Sequence, residues 1–262
     1  MHDGFLCRLC YKNVPKKKTI FYFFLKMEII LGIAGKWASE AEFFSQKALN
    51  DNGYIFEGET LTQKLTGKQF NVVISPFHNS LIEAFEYGGD TKLSEEDLAE
   101  VKNLTFTVYV LGQGGSREAA TDIVEVGEVI LNAGGLSVKV ETSNIMHPAV
   151  EWRRFARNKK MVNLFQAFVT IVKVENYFLS VGMHTFGLPE GKIYVTKGEY
   201  EYNLLRTFIF NQFSNEKVVK EGELFSLYVD EPTYILKKQE YTEFSKDEFY
   251  FNENGIWLLE KK

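Results

Sequence analysis

The stretch Leu104–Thr142 constrains the fold more than any other part of the chain. It opens with the β-branched and aromatic run LTFTVYVL, which reads as a buried strand. Gly112-Gln-Gly-Gly-Ser116 comes next as a tight turn, and the Ser116 hydroxyl is placed to cap the helix behind it. Ala119, Ile123, Val126, Ile130 and Ala133 recur at i, i+4, i+7, i+11 and i+14, one apolar stripe of an α-helix, with Asp122, Glu125 and Glu128 on its other side. Ala133-Gly134-Gly135 ends that helix, and Leu136–Glu141 (LSVKVE) is the next strand. A strand, a helix and a second strand in this order make a crossover unit, expected to be right-handed.

The flanking segments extend a sheet around this unit. Glu28–Ala34 (EIILGIA) is a buried strand by composition. Ser39-Glu-Ala-Glu42 is a capping box for a helix carrying Phe43, Phe44 and Leu49, ended by Asn52-Gly53. Phe70–Ser75 is a strand stopped by Pro76, Tyr87–Asp90 is loop, and Ser94-Glu-Glu-Asp97 starts another helix. Asn144–Pro148, with His147, is expected as a loop that leads into a short helix, Ala149–Arg157, with Pro148 suited to its first position. Arg157-Asn-Lys-Lys160 is the polar connection expected between two lobes. From Leu164 to Val195 the sequence predicts a strand, a turn at Glu175-Asn176, a second strand, and an irregular loop on Gly182, Gly187, Pro189 and Gly191. Glu199–Phe213 is a helix with Leu205, Phe208 and Ile209 inward, and Glu223–Val229, Tyr234–Lys238 and Gly255–Glu260 are strands of a terminal meander.

The expected class is therefore α+β, two-lobed, with mixed or antiparallel sheets, helices on one face and ferredoxin-like strand–helix–strand units. The expected divisions are an N-terminal extension 1–26, an α/β lobe 27–158 and an α+β lobe 159–262. The 23 Phe and 13 Tyr favour sheet and a large core. A net charge of −5 argues against a nucleic-acid binder, which needs a basic face to release counterions.

Residues 1–26 read as foreign to the remainder of the chain. Lys16-Lys17-Lys18 and the run Thr19–Leu25 imitate a signal peptide, but Lys26 and Glu28 interrupt it and no small-residue cleavage site comes after it. Met27 is the simpler start. The only cysteines, Cys7 and Cys10, fall in that extension; a lone CxxC lacks the four ligands of a structural zinc. Without them no disulfide is available, so a reducing, cytoplasmic location is expected.

The runs NAGGLSVKVETSNIMHPAVEW and YFLSVGMHTFGLPE, from Asn132 to Trp152 and from Tyr177 to Glu190, resemble a bacterial family of uncharacterised proteins, domain of unknown function 4261. The similarity covers Met27 to about Val195. It implies a bacterial, soluble α+β protein and brings no activity with it.

A few residues sit oddly for purely structural roles. His147 and Trp152 flank a helix start with Glu141, Ser143 and Glu151 close in sequence. A carboxylate–imidazole pair there suits general acid–base work; the alternative is a capping histidine and a core tryptophan. His184 lies in the glycine-rich loop six residues before Glu190, either as a working group or as an ordered loop residue bonded to backbone. His78, just after Pro76, is a third histidine candidate. Gly112–Ser116 has the context of a phosphate-cradling turn but neither the GxGxxG spacing nor the Walker lysine. No nucleophile elbow, metal-ligand spacing or cofactor fingerprint accompanies these residues, so no metal or cofactor is expected.

Two functions remain open. One is a non-catalytic binding or interaction module with another protein as partner, immunity-like or adaptor-like by analogy, touching neither nucleic acid nor membrane. The other is a small hydrolase or transferase using His147 or His184 with a carboxylate. In either case His147, Trp152, His184 and Glu190 are expected to meet at one cleft, with Trp152 as an apolar wall.

Overall fold

The structure, a computed structural model, describes residues 28–45, 47–76, 94–215 and 218–262. The extension 1–26 with its two cysteines, His78 and the loop Tyr87–Asp90 lie outside the described residues.

The first half contains β1 (Glu28–Gly35), α1 (Glu40–Ser45), α2 (Lys47–Asp51), β2 (Tyr54–Glu57), β3 (Thr60–Gln63), β4 (Gln69–Pro76), α3 (Glu95–Val101), β5 (Phe106–Gln113), α4 (Arg117–Asn132), β6 (Gly135–Val140) and β7 (Ile145–Pro148). Its strands form a sheet in the order β2-β3-β4-β5-β1-β6-β7, with every neighbouring pair antiparallel. Because β5 and β6 are both antiparallel to β1, they run parallel to each other with β1 inserted between them. The expected crossover is thus a split β-α-β unit bridged by α4.

The caps behave as their residue types dictate. Ser116 Oγ accepts from Ala119 N–H at 3.1 Å and Ser94 Oγ from Asp97 N–H at 3.0 Å. Ser39 Oγ accepts from Glu42 N–H, and the Glu42 carboxylate reaches back to Ala38 N–H. On α4, Ile123, Val126 and Ile130 are fully buried against β1, β5 and β6. Each fully buried aliphatic side chain contributes about 1.5–3 kcal/mol. Val124, Val129 and Leu131 are buried as well, so the apolar face is wider than the predicted stripe. A second layer of helix lies on that flank.

That layer is α5 (Ala149–Arg157) and α6 (Met161–Phe168). Here two expectations are corrected. His147 is not on a loop: Asn144 takes a left-handed turn (φ 56°) and residues 145–148 pair with β6 as β7, His147 opposite Val138. Leu164–Phe168 is helix, not strand. A short apolar run suits either element, and here the buried residues Phe165 and Phe168 are three apart and reach different neighbours. Phe165 meets Phe210 and Phe213, and Phe168 meets Trp152 and Phe186. The polar link after α5 is tied down by Arg157–Glu128 and Lys159–Glu125 ion pairs to α4.

The second half continues with β8 (Thr170–Val174), β9 (Tyr177–Val181), a 3-10 turn (Met183–Phe186), β10 (Glu190–Tyr194), α7 (Glu199–Ser214), β11 (Leu224–Phe225), β12 (Tyr234–Gln239) and β13 (Ile256–Lys261). Its sheet has the order β11-β12-β13-β10-β9-β8. The expected 223–229 strand shrinks to two residues, and the tail is more than a meander because β13 pairs parallel to β10. Leu204, Leu205, Phe208 and Ile209 of α7 are buried against β9 and β10. One buried apolar cluster runs from β1 and α4 through α5 and α6 to α7 and β13. The described residues are therefore α+β, with two antiparallel or mixed sheets.

Candidate functional site

The site is built on the turn between β9 and β10. Gly182 and Gly187 bracket it, both with positive φ (113° and 71°). At Gly182 a Cβ would sit 1.9 Å from the Phe168 carbonyl oxygen, so only glycine permits the chain to turn there. The reversal carries Glu190 beneath the turn that precedes it. Its Oε1 accepts from the backbone N–H groups of Gly182 (3.2 Å) and His184 (3.3 Å), and from Asn252 Nδ2 (3.1 Å). Its Oε2 accepts from Ser180 Oγ at 2.6 Å, while Ser180 Oγ accepts from Gly191 N–H. Glu190 is fully buried, and this set of donors is what makes a buried carboxylate tolerable.

His184 Nδ1 lies 3.3 Å from the same Glu190 oxygen. A carboxylate oxygen accepts, so Nδ1 carries a hydrogen, and in the neutral ring Nε2 then presents a lone pair. Nε2 is buried with no partner among the described residues, and His184 lines a cleft of about 930 Å³. Two more cleft-lining groups share that condition: Thr142 Oγ1, just past β6, and Tyr241 OH, in the connection 240–255 between β12 and β13. Burial, and then the nearby Glu190 and Glu243 carboxylates, hold the Tyr241 phenol well above its ordinary range, so its hydroxyl stays protonated and can both donate and accept.

One wall of the cleft is the face of the first sheet that α4 leaves uncovered, through Ile30, Val73 and Leu111; the opposite wall is the connection 240–255. That connection is anchored by an aromatic cluster, Tyr241, Phe244, Tyr250 and Phe251. A clamp holds it as well: Lys192 pairs with Glu243 at 2.7 Å, Glu243 accepts from Tyr177 OH at 2.5 Å, and the Lys192 ammonium lies 3.9 Å from the Tyr177 ring centroid. At the cleft margin, burial pushes the Glu28 carboxyl up to about 7 and lowers the Lys238 ammonium below its usual range.

His147 and Trp152 are elsewhere. Both are buried, and neither lines the cleft. His147 Nε2 faces the Ala167 carbonyl oxygen at 3.0 Å and Nδ1 faces Glu151 Oε2 at 3.2 Å. That bond from His147 holds the Glu151 carboxyl below its ordinary range. The Trp152 indole N–H donates to Val124 O at 3.1 Å and packs on Phe155 and Phe168. The expected meeting of His147 and Trp152 with His184 is therefore corrected. β7 turns His147 into the layer that joins α5 to α6, while His184 emerges beyond the far end of β9.

The Gly112–Ser116 turn is also engaged. Gly115 N–H donates to Thr185 O at 2.8 Å, and a Cβ on Gly187 would meet Gly115 O at 2.7 Å, so this turn is a seam against the His184 turn. Among the described residues no group of three or more His, Cys, Asp or Glu is placed to hold a metal ion.

Thr142, Tyr241 and Asn252 carry no sequence motif that marks them. The one available signal is the aromatic density of 240–255, a connection too long for a simple hairpin. Comparison of the chain with protein-family models, with curated proteins and with solved structures gives no match. Among the described residues no helix is long and apolar enough to cross a membrane.

Proposed function

We propose that this chain is a binding protein and that the cleft over His184 holds its ligand or a side chain of a protein partner. One observation carries the reading. The His184 imidazole is oriented by a buried carboxylate at Nδ1 and lines a cleft of ligand size with Thr142 and Tyr241, and His184 Nε2 and the hydroxyls of those two residues are buried with no partner among the described residues. Buried polar atoms are normally bonded, so three atoms of cleft-lining residues without a partner among the described residues support a place where a partner's groups complete the pairing. The reading rests on these residues alone, because the family resemblance assigns no activity. A bacterial cytoplasmic setting and an immunity- or adaptor-like role belong to the same proposal.

The arrangement also favours a second reading. A histidine held at one nitrogen by a carboxylate and free at the other is the geometry of a general base. A hydrolase or transferase built on His184 and Glu190 needs a nucleophile from water or from a co-substrate, because the hydroxyl groups of Thr142 and Tyr241 have no base bonded to them among the described residues.

Ligand-observed NMR screening of the full chain against small polar molecules, repeated on His184→Leu, tests both. Binding is expected for the parent chain and lost in the variant, with the ligand recovered unchanged. Equal binding to both chains would remove the cleft from consideration. Consumption of a ligand at a rate that falls in His184→Leu and in Glu190→Gln would establish the catalytic reading instead.

A further inference from the structure

We propose that the group this cleft recognises is an organic cation, an ammonium or guanidinium carried on an aliphatic arm. The proposal deepens the binding reading and rests on it.

The floor of the cleft asks for a donor. In the neutral imidazole the ring hydrogen sits on Nδ1 toward Glu190, Nε2 is then an acceptor, and the group that completes its pairing brings a donor. Thr142 Oγ1, without a partner among the described residues, can accept as well. Charge points the same way. Glu28, half-buried, and the exposed Glu59, Glu240 and Glu253 line the cleft, and none of them has an ion pair among the described residues. Two lysines, Lys238 and Lys246, share the lining. Lys238 is spent on the Asn254 carbonyl and on the Trp257 ring, 4.9 Å from its ammonium, and Lys246 is exposed. An anion would meet a lining in which carboxylates outnumber ammonium groups, whereas a cation meets its counter-charges there. The wall suits a cation too. Tyr241, Phe249 and Phe251 bring aromatic rings to the lining, surfaces that attract a desolvated cation. The Glu28 carboxyl, held up to about 7 by burial, fits the same picture: it lacks the positive neighbour that a bound cation would supply.

One chemistry has two sources, a free alkylamine or guanidine and the arginine or lysine side chain of a protein. The full chain is titrated calorimetrically at low salt with agmatine and spermidine, with a short arginine-containing peptide, and with 1,4-butanediol and glutarate as neutral and anionic counterparts. The His184 imidazole resonances are followed in parallel. We expect at least one cationic probe to bind and to shift the His184 resonances, and the neutral and anionic probes to do neither. Binding is expected to weaken by about tenfold or more in His184→Gln and in Glu28→Gln. Tyr241→Phe keeps the shape of the wall and is expected to fold and still weaken binding. Tighter binding of the peptide than of agmatine assigns the cation to a protein partner, and the reverse order assigns it to a free amine.

Binding of glutarate or butanediol that depends on His184, with the cations silent, overturns the cation assignment and leaves the binding reading intact. Cation binding that is unchanged in His184→Gln, Glu28→Gln and Tyr241→Phe places the site elsewhere and overturns the proposal. Failure of every probe at up to about 10 mM to move the His184 resonances removes both the proposal and the reading beneath it.

Discussion

Asn252 Nδ2 donates to Glu190 Oε1 at 3.1 Å across a separation of 62 residues. The bond joins the connection 240–255 to the β9–β10 turn, and so fixes the two sides of the cleft relative to each other. Asn252 Nδ2 also donates to Leu188 O, and its Oδ1 accepts from Asn254, which leaves the carboxamide fully engaged.

Glu190→Gln is expected to cost about 2–4 kcal/mol in chemical denaturation, because the carboxamide turns an N–H group toward donors that had a carboxylate to bond. Asn252→Ala is expected to cost less, about 1–2 kcal/mol, with the His184 resonances displaced. Denaturation midpoints and slopes unchanged in both variants would show that this network does not hold the site together.

Gly127 is expected to refuse alanine. It sits inside α4, where a glycine-to-alanine change at an exposed site stabilises by about 1 kcal/mol. Here the new Cβ would lie 2.4 Å from Trp152 Nε1, so Gly127→Ala should instead lose about 1–3 kcal/mol. Combining it with Trp152→Phe should give a loss smaller than the sum of the two, and strict additivity would show that the helices do not touch there.

Ile123 is fully buried between α4 and the first sheet. Ile123→Asp places an unpaired carboxylate in that core and should cost about 3–5 kcal/mol, read from the urea midpoint. Parent-like stability would mean that another face of α4 is inward.

Glu28 supplies a pH dependence with a definite sign. Its carboxyl is raised by burial from 4.5 to about 7 in the folded chain. Between those values the native state keeps a proton that the unfolded chain has released, so stability falls as pH rises through the window. Below it the penalty is absent, and above it the penalty is complete. The side chain is only half-buried, so solvent screens part of the effect. Glu28→Gln is expected to flatten this part of the stability–pH curve and to be the more stable chain at pH 8, about one unit past the window. Parallel curves for the two chains would refute the assignment.

Local pattern alone determined the elements whose information is short-ranged. The α4 stripe with its Ser116 cap, the Ser39 and Ser94 caps, the β8–β9 turn at Glu175-Asn176 (φ 46° at Glu175) and the inward face of α7 arise from side-chain period and capping chemistry within a few residues. Where an apolar run was short, as from Leu164, the strand that the sequence predicts is not the element that forms. Leu164–Phe168 became helix because Phe165 and Phe168 find Phe213 and Trp152 on different neighbours. The pairing of His184 with Glu190 was within reach of the sequence, since a tight turn brings residues six apart together. The rest of the site was not. Thr142 and Tyr241 reach the same cleft because β10 lies parallel to β13 and the 240–255 connection folds back toward the first sheet. Likewise, only the pairing of β7 with β6 turned His147 away from it. Which loops share a cavity depends on strand order, and strand order is set by contacts between residues far apart in the chain, which no local period encodes.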